Sequence, residues 1–446
     1  MIKKYILTAL MWTFLLSGAG RCLSTPVDPP RNPAAAGETE KGLTAWFSGK
    51  TAEAERIFSE LAKRQVKNPI PYHALAVLLT DRKRDYARAA ELYSLHESLA
   101  AEGRPAYAAA MPLIQKHAAS GNVQAQFLWG RAMLWGLGGR IDRVQAMLQL
   151  RRASDGGYAQ AQREFALMYE NGLGVVKDPA QAARLYRKAA DQGDAYALKN
   201  LAVLCLNGTG VPKDAKEAAA LLDRAVGAGL PEAMLLLGEL YHRGQGVEKD
   251  LPAAAEWYRK AAGAGSSAAM RNLAWMYESG EGFPKDMAKA VEWYTKSARH
   301  GNPSAQLRLG ALYYAGEAVK QDLPEAFRLF KLSADQGNIG AWYNVGWLYK
   351  TGEGVAQDYA EAKKWFERAA RAGSEKGQFA LGIIYTNGEG VDENLEEAYY
   401  WFSLAKLRGN PDAQRGLDFI DKKIAGDVKA RAVKRAQESF ERAGRR

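Results

Sequence analysis

The chain has 446 residues, 47% of them hydrophobic and 25% charged, with a formal net charge of +11 at pH 7. That composition excludes an intrinsically disordered chain, which lacks the apolar content to build a core. It also argues against a nucleic-acid binder: acids and bases interleave over most of the length, and a continuous basic stripe is missing.

The first residues read as an export signal. Lys3 and Lys4 precede an uncharged, mostly apolar stretch from Tyr5 to Leu16, and Ser17-Gly18-Ala19-Gly20 supplies small residues for cleavage. The stretch is too short for a membrane span, which needs about 20 residues. Cleavage is expected after Ala19 or Gly20, and the mature chain is expected in the periplasm. Cys22 raises a lipoprotein alternative, but Arg21 stands where a lipidation signal wants a small residue.

Residues 21–40 are rich in Pro, Ala and polar side chains and are expected to form a linker. Residues 41–120 carry apolar residues at helical spacing over Ala52–Ala62, Tyr72–Leu79, Asp85–Ala101 and Ala106–Ala119. They read as divergent helix pairs. Pro112 is expected to kink the last helix or to mark a boundary.

From Gly121 to Arg408 a 36-residue unit repeats eight times without insertion or deletion. Its copies open at Gly121, Gly157, Gly193, Gly229, Gly265, Gly301, Gly337 and Gly373. A fixed period of this size specifies stacked helix pairs. In the copy opened by Gly301, Ala305, Leu309, Gly310 and Tyr313 share one face of a first helix. Gly316 ends that helix, and all eight copies have Gly at this position. Asp322 caps the second helix, a position held by Asp in seven copies and by Asn394 in the last. Glu325, three residues on, suggests a capping box, as do Asp358/Glu361 and Asn394/Glu397. The second helix buries Ala326, Leu329, Phe330 and Ala334. Trp257/Tyr258, Trp293/Tyr294, Trp365/Phe366 and Trp401/Phe402 recur in phase, which marks them as packing residues rather than a cofactor site. Residues 409–446 are expected to close the stack as basic capping helices. Their tail Asp421–Arg446 carries nine Lys/Arg against four Asp/Glu, so it is a candidate contact for an anionic polymer or membrane surface.

The run Ala269-Met-Arg-Asn-Leu273-Ala-Trp-Met-Tyr277-Glu-Ser-Gly280-Glu-Gly282-Phe-Pro-Lys-Asp286, continued by Ala290, Trp293 and Ala298, resembles the Sel1-like repeat, a relative of the tetratricopeptide repeat. The first copy departs most, with Met133 for Tyr, Gly139 for Val and Gln149/Leu150 for the aromatic pair. The resemblance implies an all-α fold, a right-handed α/α superhelical solenoid of Sel1-like or tetratricopeptide-like helix pairs. It implies a non-catalytic adaptor or scaffold for protein partners. For exported bacterial members it implies a role in envelope assembly, exopolysaccharide secretion or host contact.

No chemistry stands out beside this. The Gly-x-Gly loops follow helices rather than strands, so they are caps and not phosphate cradles. His73, His96, His117, His242 and His300 lack metal-ligand spacing. No catalytic, cofactor or metal site is expected. Cys205 occupies a slot that is Tyr in six copies and reads as a buried thiol.

By analogy with tetratricopeptide repeats, the inner wall is expected at offsets 6, 10 and 13 from each opening glycine. Aromatic side chains accumulate there in copies five to eight: Trp275, Tyr314, Tyr343, Trp347 and Phe379. Other copies place Glu, Lys or Ala at the same offsets, so packing alone does not demand them. These five are the candidate partner-binding residues, with local packing as the competing explanation. The expected partner is an envelope protein or peptide, with an anionic polysaccharide as the alternative.

Overall fold

The computed structural model describes residues 33–66, 68–79, 89, 92, 104–137 and 140–444. Among these residues the chain forms 22 helices and no strand. The export segment and Cys22 lie outside them. So does most of the helix expected over Asp85–Ala101, of which Ala89 and Leu92 are described and buried. The chain divides into two compact units, residues 1–189 and 190–446, with the division inside the helix Pro179–Asp191.

Unit one begins with the helices Pro33–Phe47, Thr51–Lys63, Pro69–Leu78 and Arg104–Ala119. The first corrects the expected linker at its C-terminal end. An alanine-rich run favours helix, and Ala35, Thr39 and Leu43 find a core to enter. The Thr39 hydroxyl donates to the Ala35 carbonyl at 2.8 Å, so its burial leaves no unpaired hydroxyl. Helix Arg104–Ala119 runs through Pro112 unbroken, so no element boundary falls there. His73 is buried, with Nδ1 3.0 Å from the Tyr107 hydroxyl and Nε2 2.8 Å from the Arg131 guanidinium. The unit continues through copy one and the first helix of copy two.

Unit two holds copies three to eight and two closing helices, Ala413–Asp421 and Gly426–Gly444. Leu417 and Ile420 pack with Phe402, and Ala432 and Ala436 pack with Tyr400 and Leu404, so both closing helices cover copy eight.

In every copy the first helix ends on a glycine with φ between 66° and 77°, a left-handed conformation that costs other residues Cβ clashes. In every copy the Asp or Asn side chain accepts a hydrogen bond from a backbone N–H two or three residues into the second helix. The expected capping box is only half formed. Glu325 and Glu361 turn outward to Arg328 and Lys364. The cap residue's own N–H instead bonds a first-helix carbonyl, as Asp322 does to Tyr313 and Asp358 to Tyr349. This bond spans 2.8–3.0 Å in all eight copies. A backbone acceptor nine residues back thus outcompetes a flexible carboxylate three residues ahead, since it costs no side-chain entropy.

The aromatic pairs are core. Tyr258, Tyr294, Trp365, Phe366 and Phe402 are buried, while Trp257, Trp293 and Trp401 are half-buried. Gly346 makes room for one of them: a Cβ there would lie 2.8 Å from the Phe366 ring. Cys205 is buried, and its thiol donates to Glu217 Oε2 at 3.7 Å.

Candidate functional site

The five candidate aromatics all lie on first helices of unit two, and their surroundings differ. Trp275, on helix Ser267–Ser279, is 41% exposed, and Trp347, on Ile339–Thr351, is 36% exposed. Both sit at offset 10, flanked by buried Ala274 and Met276 or by buried Gly346 and Leu348. The helix therefore turns this one position outward while its neighbours on either side face the core.

Trp347 belongs to a group of three. Its ring stacks on Tyr343 with centroids 6.4 Å apart and planes at 28°, and its indole, near the Tyr314 hydroxyl, acts to lower that phenol's pKa. Tyr343 is half-buried, 5.8 Å from Phe366, with the Lys376 ammonium 6.0 Å from its ring centroid. Burial raises the Tyr343 phenol above its ordinary value. Tyr314 is half-buried against the core of copies six and seven, and its hydroxyl donates to Glu353 at 2.9 Å. Burial, and then that carboxylate, raise its phenol in turn.

Trp275 and Phe379 stand apart from this trio. Trp275 packs on His242 of the preceding copy, centroids 5.6 Å apart. Phe379 is half-buried, 5.3 Å from Phe402, in the cluster that the closing helices complete. Packing thus accounts for much of Tyr343 and all of Phe379, whereas the two tryptophans leave large apolar surface in solvent.

Sequence reasoning missed a set of acids that frames these side chains. The loop after each first helix carries Glu281, Glu317, Glu353 and Glu389 in copies five to eight. Three of the four meet the offset-13 residue of the copy before, 39 residues earlier. His242 Nε2 lies 3.4 Å from Glu281, Tyr314 bonds Glu353, and Lys350 lies 2.7 Å from Glu389. At the remaining rung two acids, Glu278 and Glu317, face the same cation. Arg308 Nε donates to Glu278 at 2.8 Å, and the Glu317 charge helps to raise Arg308's pKa. The Tyr294 hydroxyl adds a 2.6 Å bond to Glu278. Burial alone would raise the Glu278 carboxyl, but the bonds from Arg308 and Tyr294 outweigh it and hold the pKa below its ordinary 4.5. The signal was present in the matched identities at offset 13 and the next copy's loop, which pair a His, a Tyr or a Lys with Glu.

Arg271 lies one turn before Trp275 and has no such partner. Its Nε is buried without a hydrogen bond, and it faces Glu239, Tyr258 and Tyr294 only through space. Burial raises the Glu239 carboxyl despite the nearby arginines. Among the described residues, no three His, Cys, Asp or Glu gather as metal ligands, and no helix is long and apolar enough to cross a membrane. The arrangement can present indole surface and a guanidinium to an extended ligand.

A helix-pair solenoid with an in-phase ladder defines the class, and sequence comparison defines the family. The Sel1 repeat matches residues 123–158, 159–194, 195–230, 231–266, 267–302, 303–338, 341–374 and 376–410. The chain belongs to the Sel1 repeat family. Proteins of this family are typically interaction scaffolds and are generally non-catalytic. Among solved structures, the chain is similar to a protective antigen present in uropathogenic Escherichia coli strains that displays an SLR fold. The two share 27% identity over 91% of this chain and 92% of that one, with a TM-score of 0.62. A Sel1 repeat protein from Oxalobacter formigenes is 30% identical over 55% of this chain and 98% of its own, with a TM-score of 0.50. No curated protein matches the chain.

Proposed function

We propose that this protein is a non-catalytic adaptor of the bacterial cell envelope that holds a protein or peptide segment against the first helices of copies five to eight. The observation that carries this reading is the exposure of Trp275 and Trp347 at one repeat offset, where neighbouring side chains are tied into the core or the glutamate ladder. Exposed indoles on a rigid frame are the usual energetic anchors of an interface. Arg271 adds a donor for a carboxylate on the bound segment. The export segment Lys3–Gly20 supports a periplasmic address, and the similar protective antigen supports contact with a host as a related role.

The test is in-cell crosslinking followed by capture with the wild-type chain and with Trp275→Ala/Trp347→Ala. The double variant is expected to stay folded and to lose its specific protein partners. An unchanged partner set would remove the tryptophans from the interface. A second reading, contact with an anionic envelope polysaccharide, draws on the Trp347–Tyr343 stack beside Lys376, which suits a sugar ring. Titration with that polymer at low salt separates the two, because a protein adaptor gives no binding there.

A further inference from the structure

Unit one carries a different departure from the repeat. The second helix of copy one, Arg143–Asp155, and the residue before its cap expose Ile141 (55%), Val144 (60%) and Leu148 (37%). These are spaced three and four apart and form one stripe, which Arg152 continues one turn later. Other copies put Lys213, Lys249 and Lys285 in the place of Ile141, and Glu256, Glu292 and Lys364 in the place of Leu148. The loop of copy two lies against the start of this helix: a Cβ on Gly174 would come within 2.6 Å of the Arg143 Cβ. That same loop carries Val176, which is 87% exposed.

Cations accompany each aliphatic. Arg140, Arg143, Arg152 and Lys177 are exposed, and none has an ion-pair partner among the described residues. The two acids within the patch, Asp142 and Asp178, are engaged as helix caps.

We propose that this outer face of copy one docks onto an anionic phospholipid surface. Aliphatic side chains that protrude, bordered by unpaired cations, match the acyl boundary and the charged headgroups of such a surface. A protein groove is less well matched. The aliphatics stand out from the surface, and the patch has no aromatic anchor of the kind on which protein interfaces rely. The proposal is independent of the partner wall of unit two.

Flotation of the purified chain with phosphatidylglycerol-containing vesicles, and with pure phosphatidylcholine vesicles, tests it. The wild type is expected to float with the anionic vesicles only. Val144→Glu/Val176→Glu is expected to lower the bound fraction roughly tenfold with an unchanged circular dichroism melt. Arg140→Gln/Lys177→Gln is expected to weaken binding and flatten its salt dependence. No flotation of the wild type, or equal flotation of the glutamate variant, overturns the proposal. So does dimerisation in light scattering that Val144→Glu/Val176→Glu abolishes while lipid binding is absent, since the patch then meets a second copy.

Discussion

The outer face of copy one and the first-helix face of copies five to eight both depart from the repeat, but in opposite ways. Copy one replaces charges with aliphatics and leaves them unattached. Copies five to eight add aromatics and then fasten most of what surrounds them, through Glu281, Glu353 and Glu389 and through the Arg308–Glu278 bond. A fastened surface keeps its shape before a ligand arrives and pays less ordering cost on binding. An unfastened aliphatic stripe suits a soft partner, which needs no pre-set shape.

The comparison is broken most completely by attacking the frame. Gly354 has φ +75°, and a Cβ there would lie 2.3 Å from the Leu323 carbonyl oxygen. Gly354→Ala is expected to cost about 3 kcal/mol or more in urea unfolding and to scatter the wall. The same loop slot in copy six is Ala318, with φ +61°. There Ala318→Gly is expected to stabilise by about 0.5–1 kcal/mol, as the left-handed strain is relieved.

Next comes the ladder. Glu353→Ala removes the acceptor of Tyr314 and Thr351 and is expected to cost about 1–2 kcal/mol. A double-mutant cycle on Lys350 and Glu389, whose side chains are 16% and 18% exposed, is expected to give a coupling near 1 kcal/mol. The ladder also predicts a pH response. The Glu278 and Glu281 carboxyls lie below their ordinary 4.5. Their contribution to stability is complete above that value and is lost as pH falls through the lower folded pKa. Glu239 has the opposite sign. Its raised carboxyl penalises folding once pH rises past 4.5, so Glu239→Gln is expected to raise the melting temperature at pH 7 and to have no such benefit in acid.

The smallest effects fall on the two faces themselves. Trp275→Ala is expected to change stability by less than about 1 kcal/mol, and Val144→Ser or Val176→Ser by less than about 0.5 kcal/mol. A large loss at any of these would mean that the side chain serves the fold rather than a partner.

Most of the fold was legible because period, caps and small-residue contacts are local or recur in phase. The helix at Pro33–Phe47 was hidden by a proline-rich neighbourhood, since its stability comes from Thr39 and Leu43 entering a distant core. The half-formed capping box was hidden for another reason. Spacing shows that Glu325 can reach back, but not that the Tyr313 carbonyl already holds the cap N–H. In the candidate site the repeat pattern marks five aromatics as one set without distinguishing their surroundings. Trp275 and Trp347 at offset 10 are exposed, whereas Tyr343 and Phe379 at offset 6 and Tyr314 at offset 13 are half-buried, because those positions lean on the adjoining copy or the closing helices.

The 39-residue reach of the rungs has a consequence for anyone who recombines this protein. The helix pair repeats every 36 residues, yet a cut at an opening glycine separates His242 from Glu281, or Lys350 from Glu389. A graft that preserves the surface chemistry must carry the end of one copy's first helix together with the next copy's loop. The modular unit for building is therefore longer than the unit that repeats.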